Sequence, residues 1–450
     1  MADMPVGKRE VGMPRPFDSI ASRNPVTATQ TPRRLDPYWD ALWRIGQMPL
    51  WEERDALERR VAVGAARASA AMLADPGEAL ERRFAGRRAQ QSTLNILGAL
   101  DQWRTGTAEQ VAALTGVRGI VGRSEALDDL FAARLIDVGM VGNVRTLRPS
   151  ATNAFDKNVK PRITYPEWVS VTGGMQFDAS RQYTRHNLLA TELGLRLAEY
   201  TEVEAVLGEK LATHELLGYT GLGYPAPERT MLAGADLVVV REDGLRIAIE
   251  ITASRGTAFA GKVRRWAKLL HERRLDRSGL VVIFVAADHP DTSASKRYNT
   301  RNGIFHTVRA AVREFPGING DRTAARIGVA DWREWFPERG MMTDAFLDLE
   351  VDVAVGDPSS PWERSAFLAP YDLGFEPRDP AYFLAAADNM AALRGNPHWL
   401  RARRQATEVA DMMWERSEYR GIRVEPRVLT RAQSKHFAPD RLPIRLRAGA

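Results

Sequence analysis

The chain has 450 residues, 44% of them hydrophobic and 27% charged, which supplies apolar material for several cores and excludes a largely disordered polypeptide. It has no cysteine, which excludes disulfides, thiolate–zinc sites and a cysteine nucleophile, and no run of about 18 apolar residues that would span a membrane. Lysine and arginine total 63 against 57 acids, a net charge of +6 that permits a nucleic-acid partner without demanding one. A cytoplasmic protein with no membrane association is the expectation. Eight of the 63 basic residues are lysines, so a lysine standing where chemistry needs an ammonium draws notice.

In chain order, residues 1–36 are rich in Pro, Thr, Ser and Arg and read as an irregular leader without a secretory core. Residues 37–78 read as a helical preface, with a long helix over 51–73. Residues 79–150 carry the pattern of a winged-helix unit. A helix is expected at 89–103. Thr107 and Gln110 stand at capping-box spacing before a short helix that Thr115-Gly116 ends. A third helix is expected at 121–133, then two strands around a Gly142-Asn143 turn. That order places a third helix and a hairpin against duplex DNA. The candidate contacts are Arg118, Arg123 and Ser124 before the third helix and Arg145 on the hairpin, with a basic cluster Arg82, Arg83, Arg87 and Arg88 upstream.

Residues 151–180 read as a linker with an extended piece at 168–171. Residues 181–340 alternate helix and strand, as in an α/β sandwich around a mixed sheet. Helices are expected at 184–200, 259–274 and 302–314, and strands at 203–207, 235–241, 245–252, 279–286 and 325–329. Glu242-Asp243-Gly244 is a hairpin turn signal. Residues 218–227 form a Gly/Pro-rich loop. Lys296, Arg297 and Arg301 fall in an expected loop at 288–302, where a DNA backbone contact would be suited. Residues 341–450 read as a helical C-terminal region, with helices at 379–393 and 398–419 and a basic tail.

The 235–252 hairpin is the informative place. Asp236 opens one strand and Glu250 interrupts the apolar run of its partner. A carboxylate in an apolar strand is costly unless paired, hydrogen-bonded or metal-bound. Two such acids on adjacent strands can share Mg²⁺, which prefers oxygen ligands.

This pattern resembles the PD-(D/E)XK phosphodiesterase superfamily, in which an acid and a hairpin precede a (D/E)-X-K triplet. Asp236 and Glu250 match the two acids, and Thr252 replaces the lysine. Some members supply that lysine from the following helix, where Lys262 stands here. The chain is also similar to the actinobacterial replication-relaxation family of plasmids and mobile elements. The matching segments are His186-Asn187-Leu188-Leu189-Ala190-Thr191-Glu192, Ala235-Asp236, Glu250-Ile251-Thr252 and Lys262-Val263-Arg264-Arg265-Trp266. The resemblance spans roughly residues 85–285. It implies a restriction-endonuclease-like central domain and a role in replication or transfer of a mobile element. Asp236 and Glu250 would bind Mg²⁺, Lys262 would orient water or stabilise charge, Glu192 would be an outer ligand and His186 a phosphate or water contact. Three readings stay open: a nuclease, a DNA-binding descendant without catalysis, and an interaction protein. Partners would be double-stranded DNA, a second copy of the chain or other mobile-element proteins.

Overall fold

The computed structural model describes residues 15–16, 34–40, 42–43, 49–122, 124–177, 184–214, 234–253, 256–339, 341–356, 361–378 and 380–401. It is an α/β protein with a mixed seven-stranded sheet and small antiparallel sheets. Among the described residues no helix is long and apolar enough to cross a membrane.

The first part of the chain builds a helical unit with its own sheet. Strand β1 (Leu50–Glu52) and helix α1 (Arg54–Ala62) open this unit. The expected long helix over 51–73 is thus a strand and a shorter helix, because Trp51 pairs with Gly139 on the hairpin and Gly64, at φ +73, follows the helix end. Helices α2 (Pro76–Phe84), α3 (Arg87–Trp103) and α4 (Ala108–Thr115) follow, then α5 (Glu125–Ala132). The capping box at Thr107 and Gln110 is formed, and Gly116 ends α4 in the left-handed conformation. Strand β2 (Gly106–Thr107) pairs with β4 (Val144–Pro149), which forms a hairpin with β3 (Ile136–Val141) closed by a two-residue turn.

The expected linker is not a linker. Its segment at 168–171 lies in helix α6 (Tyr165–Thr172), started by a second capping box between Thr164 and Glu167. Thr164 caps and Pro166 sits in the first turn, which suits a helix start better than the β-rich composition of Trp-Val-Ser-Val suits a strand. Phe155, Val159, Ile163, Trp168 and Val169 are buried in the same core as α3.

The second part centres on helix α7 (Thr184–Tyr200), in which every residue from Asn187 to Tyr200 is buried. Strands β5 (Ala205–Gly208), β6 (Leu237–Val240) and β7 (Arg246–Thr252) form an antiparallel meander. Helix α8 (Thr257–Glu272) crosses to β8 (Leu280–Ala286), parallel to β7, and α9 (Ala294–Glu314) crosses to β9 (Ile327–Asp331), parallel to β8. The period-2 alternation sorts side chains onto two faces. Leu237, Val239, Ile247, Ile249 and Val281 share a core with α7. Val238, Ala248, Val282 and Phe284 pack with Val263, Trp266 and Ile304 of α8 and α9.

Two features beyond residue 340 depart from the expected helical region. Strands β10 (Glu350–Val353) and β11 (Glu363–Ala366) extend the sheet, giving the order β11-β10-β9-β8-β7-β6-β5. Glu350 and Asp352 alternate with the buried Val351 and Val353, a period-2 signal in an edge meander. After them, helix α10 (Pro380–Ala391) and the turn behind it cover the β5 edge, where Asn396 Oδ1 accepts the Val206 N–H at 2.7 Å. The expected helix at 398–419 lies largely outside the described residues, as do the 218–227 loop and the basic tail.

The two parts pack as one body. Trp103 of α3 presses on α7 so closely that a Cβ on Gly194 would come within 2.4 Å of its ring. Trp103 Nε1 donates to the Gly395 carbonyl at 2.7 Å. The leader is tied in as well. Arg34 reaches Glu192 at 3.1 Å and Glu199 at 2.6 Å, and Arg196 reaches Asp36 at 2.7 Å, all fully or nearly buried. Breaking a buried pair from one side leaves an uncompensated charge. Arg34→Ala is therefore expected to lower unfolding free energy by roughly 3–5 kcal/mol, read from urea denaturation. A loss under about 1 kcal/mol would mean that the network does not hold the leader.

Candidate active-site cleft

Asp236 and Glu250 meet because of register. Leu237 pairs with Ile249 in an antiparallel ladder, so the next residues outward, 236 and 250, are cross-strand neighbours on the face turned to α8. Asp236 is held by a 2.6 Å hydrogen bond from the Ile251 N–H to Oδ2. Glu250 is 1% exposed, between Ile249 and Ile251, and needs donors. Helix α8 supplies two of them one turn apart. Lys262 Nζ donates to Oε2 and Trp266 Nε1 to Oε1, each at 2.7 Å.

These side chains open onto a cleft of about 230 Å³ lined by His186, Asn187, Glu209, Asp236, Glu250, Thr252, Phe259 and Lys262, among others. Glu250 lies near the carboxyl end of β7, the end at which parallel α/β sheets hold ligands. Asn187 Nδ2 donates to Glu209 Oε2 at 2.6 Å. His186 stands edge to face against Trp43, with ring centroids 4.8 Å apart. Trp43 is in turn anchored by a 2.8 Å bond from Nε1 to the Ala287 carbonyl.

The electrostatics follow from burial and crowding. Burial pushes the Glu250 carboxyl up to about 7; Lys262 opposes the rise and the Asp236 carboxylate adds to it. Burial works against the Lys262 ammonium, but Glu250, Asp236 and Glu209 outweigh it and hold its pKa above the ordinary lysine value. Burial lowers the His186 pKa, against Asp236 and with Lys262 and Arg185, so the ring is neutral at pH 7. Glu209 is raised by burial, with Arg104 opposing.

The structure thus brings Asp236, Glu250, Lys262 and His186 to one cleft, with Thr252 on its wall where the motif has lysine. It does not bring Glu192 there. That carboxylate is fully buried and takes bonds from Arg34, Arg196 and Gln110. As a cleft ligand it is replaced by its structural duty. Sequence reasoning missed Asn187 and Glu209 as cleft residues. Asn187 follows His186 directly, and its place on the first turn of α7 was the available signal; Glu209 offered none.

The expected nucleic-acid contacts are scattered. Arg118 is exposed in a single turn between α4 and α5. Arg123 lies outside the described residues. Ser124 caps α5 by accepting the Leu127 N–H. Arg145 donates to the Gly122 carbonyl at 2.7 Å, tying the hairpin to the turn before α5. The first turn of α5 carries Glu125 and Asp128, so that helix face is acidic. Arg82 and Arg83 both bind Asp129, and Arg87 and Arg88 are exposed. Lys296, Arg297 and Arg301 lie on α9 and not in a loop, because the stretch after Pro290 contains no breaker before Gly303. Lys296 is exposed, Arg297 donates to the Thr292 carbonyl, and Arg301 is bound by Glu334 and Asp352.

Comparison with protein-family models, curated proteins and solved structures finds no match for this chain.

A carboxyl whose pKa is higher in the folded state than unfolded stabilises the fold when protonated. For Glu250 that stabilisation is complete below its ordinary value of 4.5 and is lost as pH rises through about 7. The stability difference between wild type and Glu250→Gln should therefore shift against the wild type by on the order of 3 kcal/mol between about pH 4 and pH 8. Parallel urea titrations of the two proteins check this. Identical pH profiles would mean that Glu250 titrates as it does in water.

Proposed function

We propose that this chain is a DNA-binding protein whose cleft hydrolyses phosphodiesters with the help of Mg²⁺. The observation that carries the reading is the convergence of Lys262 Nζ on Glu250 at 2.7 Å, in the cleft that also holds Asp236. Lys262 is one of eight lysines in the chain and comes from the helix after the Glu250 strand, so it can stand in for the lysine missing at Thr252. The helix, three-strand meander, crossing helix and parallel strand around it support a restriction-endonuclease-like domain. The helices and hairpin of residues 79–150 support a winged helix. Because α5 presents acids, the DNA contact we favour runs through the turn before it and the hairpin, with Arg118 and Arg145, and not along the helix face. Plasmid, phage or integrative-element replication or transfer is the setting that the family resemblance suggests.

The donor chemistry fits a hard cation. Asp236 and Glu250 are adjacent carboxylates, and Mg²⁺ commonly uses one or two carboxylates plus water and substrate phosphate. Among the described residues no three His, Asp or Glu side chains converge to cage an ion, so water and substrate would complete the shell. When bound, Mg²⁺ supplies acidification of a neighbouring water and offsets charge on the scissile phosphate. The chain's own residues do the rest. Lys262, cationic and partly exposed, meets the charge that develops on the phosphate oxygens as water adds to phosphorus and the P–O ester bond breaks. Neutral His186 can donate to a phosphate oxygen or hold the water. Phe259 and Ile251 keep one wall apolar.

A second reading has an observation of its own. Both Glu250 oxygens already accept hydrogen bonds, and the motif lysine is replaced by Thr252, which suits a domain that keeps the acids without catalysis.

Cleavage of supercoiled, linear and single-stranded DNA in Mg²⁺ separates the two. Glu250→Ala and Lys262→Ala should each lower the rate by about a hundredfold or more. Equal rates in wild type and Glu250→Ala would remove the catalytic reading. DNA affinity that falls steeply with salt would then leave the DNA-binding one standing.

A further inference from the structure

Asn187 is a cleft residue whose hydrogen bonding is incomplete. The residue is 4% exposed and lines the same cleft as Asp236 and Glu250. Its Nδ2 is spent on Glu209 at 2.6 Å, which fixes the amide so that Oδ1 is the free end. Among the described residues Oδ1 has no hydrogen-bond partner. A buried amide oxygen left unpaired is costly, and native structures normally satisfy it with protein, water or a ligand. The backbone beneath it is fixed: the Asn187 carbonyl accepts Thr191 Oγ1 at 2.7 Å within α7, and the neighbouring His186 ring is set by Trp43.

The surroundings select the kind of ligand that would satisfy this oxygen. Three carboxylates, those of Asp236, Glu250 and Glu209, line the cleft, and Lys262 is the lysine among its lining residues. An amide oxygen beside carboxylates is an acceptor set, which suits a hard divalent cation; asparagine carbonyls serve hard cations as neutral ligands. We propose that Asn187 Oδ1 is the third protein oxygen of the cation site, alongside Asp236 and Glu250. Glu209 then serves as a positioning residue that holds the amide by its nitrogen and leaves the oxygen for the cation. This rests on the metal-assisted reading above and adds a ligand that no carboxylate or histidine pattern would reveal.

The test uses the full chain and Mn²⁺ as the probe, because Mn²⁺ takes the same oxygen ligands as Mg²⁺ and its binding is read directly by electron paramagnetic resonance, without DNA or turnover. Wild type should bind Mn²⁺ at this site, and Glu250→Ala should abolish that binding. Asn187→Ala should raise the Kd tenfold or more, while Asn187→Asp, which keeps an oxygen and adds charge, should bind within threefold of wild type or tighter. Melting curves recorded without metal show whether each variant is folded. If Asn187→Ala does not fold, Asn187→Asp decides, and a tenfold weakening in it overturns the assignment. A folded Asn187→Ala that binds within twofold of wild type, while Glu250→Ala does not bind, overturns the Asn187 ligand and leaves the metal-assisted reading intact. No Mn²⁺ binding by wild type overturns both.

Discussion

The carboxylate of Glu192 is the point on which the architecture turns. It sits, fully buried, on a helix buried along fourteen consecutive residues. Three parts of the chain answer it: Arg34 from the leader, Arg196 from its own helix, and Gln110 from the helical unit. Gln110 does this while completing the capping box of α4. A buried ion pair seldom adds stability beyond what packed apolar groups would give, but it penalises every arrangement in which a partner is missing. Here that penalty specifies how leader, helical unit and sheet come together around α7.

The same logic works on a smaller scale in the cleft. Glu250 interrupts an apolar strand, and α8 must bring Lys262 and Trp266 to it. The strand ladder sets Asp236 beside it. Fold and site are therefore specified by one requirement, the satisfaction of carboxylates placed in apolar surroundings.

Much of this was legible in the sequence, and the reasons are local. The Thr107–Gln110 box, the Gly142-Asn143 turn and the apolar 280–286 run each encode their structure within a few residues. The Asp236–Glu250 register follows from hairpin arithmetic, and Lys262 from its place on the next helix. What failed was what depends on distant partners. Residues 168–171 looked like a strand by composition, yet a capping box and burial against α3 place them in a helix. Trp51 looked helical until its hairpin partner was known. Glu192 looked like a ligand because the arginines that claim it are 158 residues upstream and four downstream. Asn187 carried no charge to draw attention beyond its place after His186, and the count of its bonds in three dimensions singles it out.

The tight seating of Trp103 on Gly194 has a consequence for geometry at long range. A domain joined by a flexible tether can swing and sample many separations from its neighbour, but a unit wedged onto α7 without room for one methyl group cannot. The interval between the 136–149 hairpin and the cleft is therefore set by the fold itself. If the hairpin reads a site on DNA and the cleft acts on a phosphate, the molecule works as a ruler, and the number of base pairs between the two is built into α7.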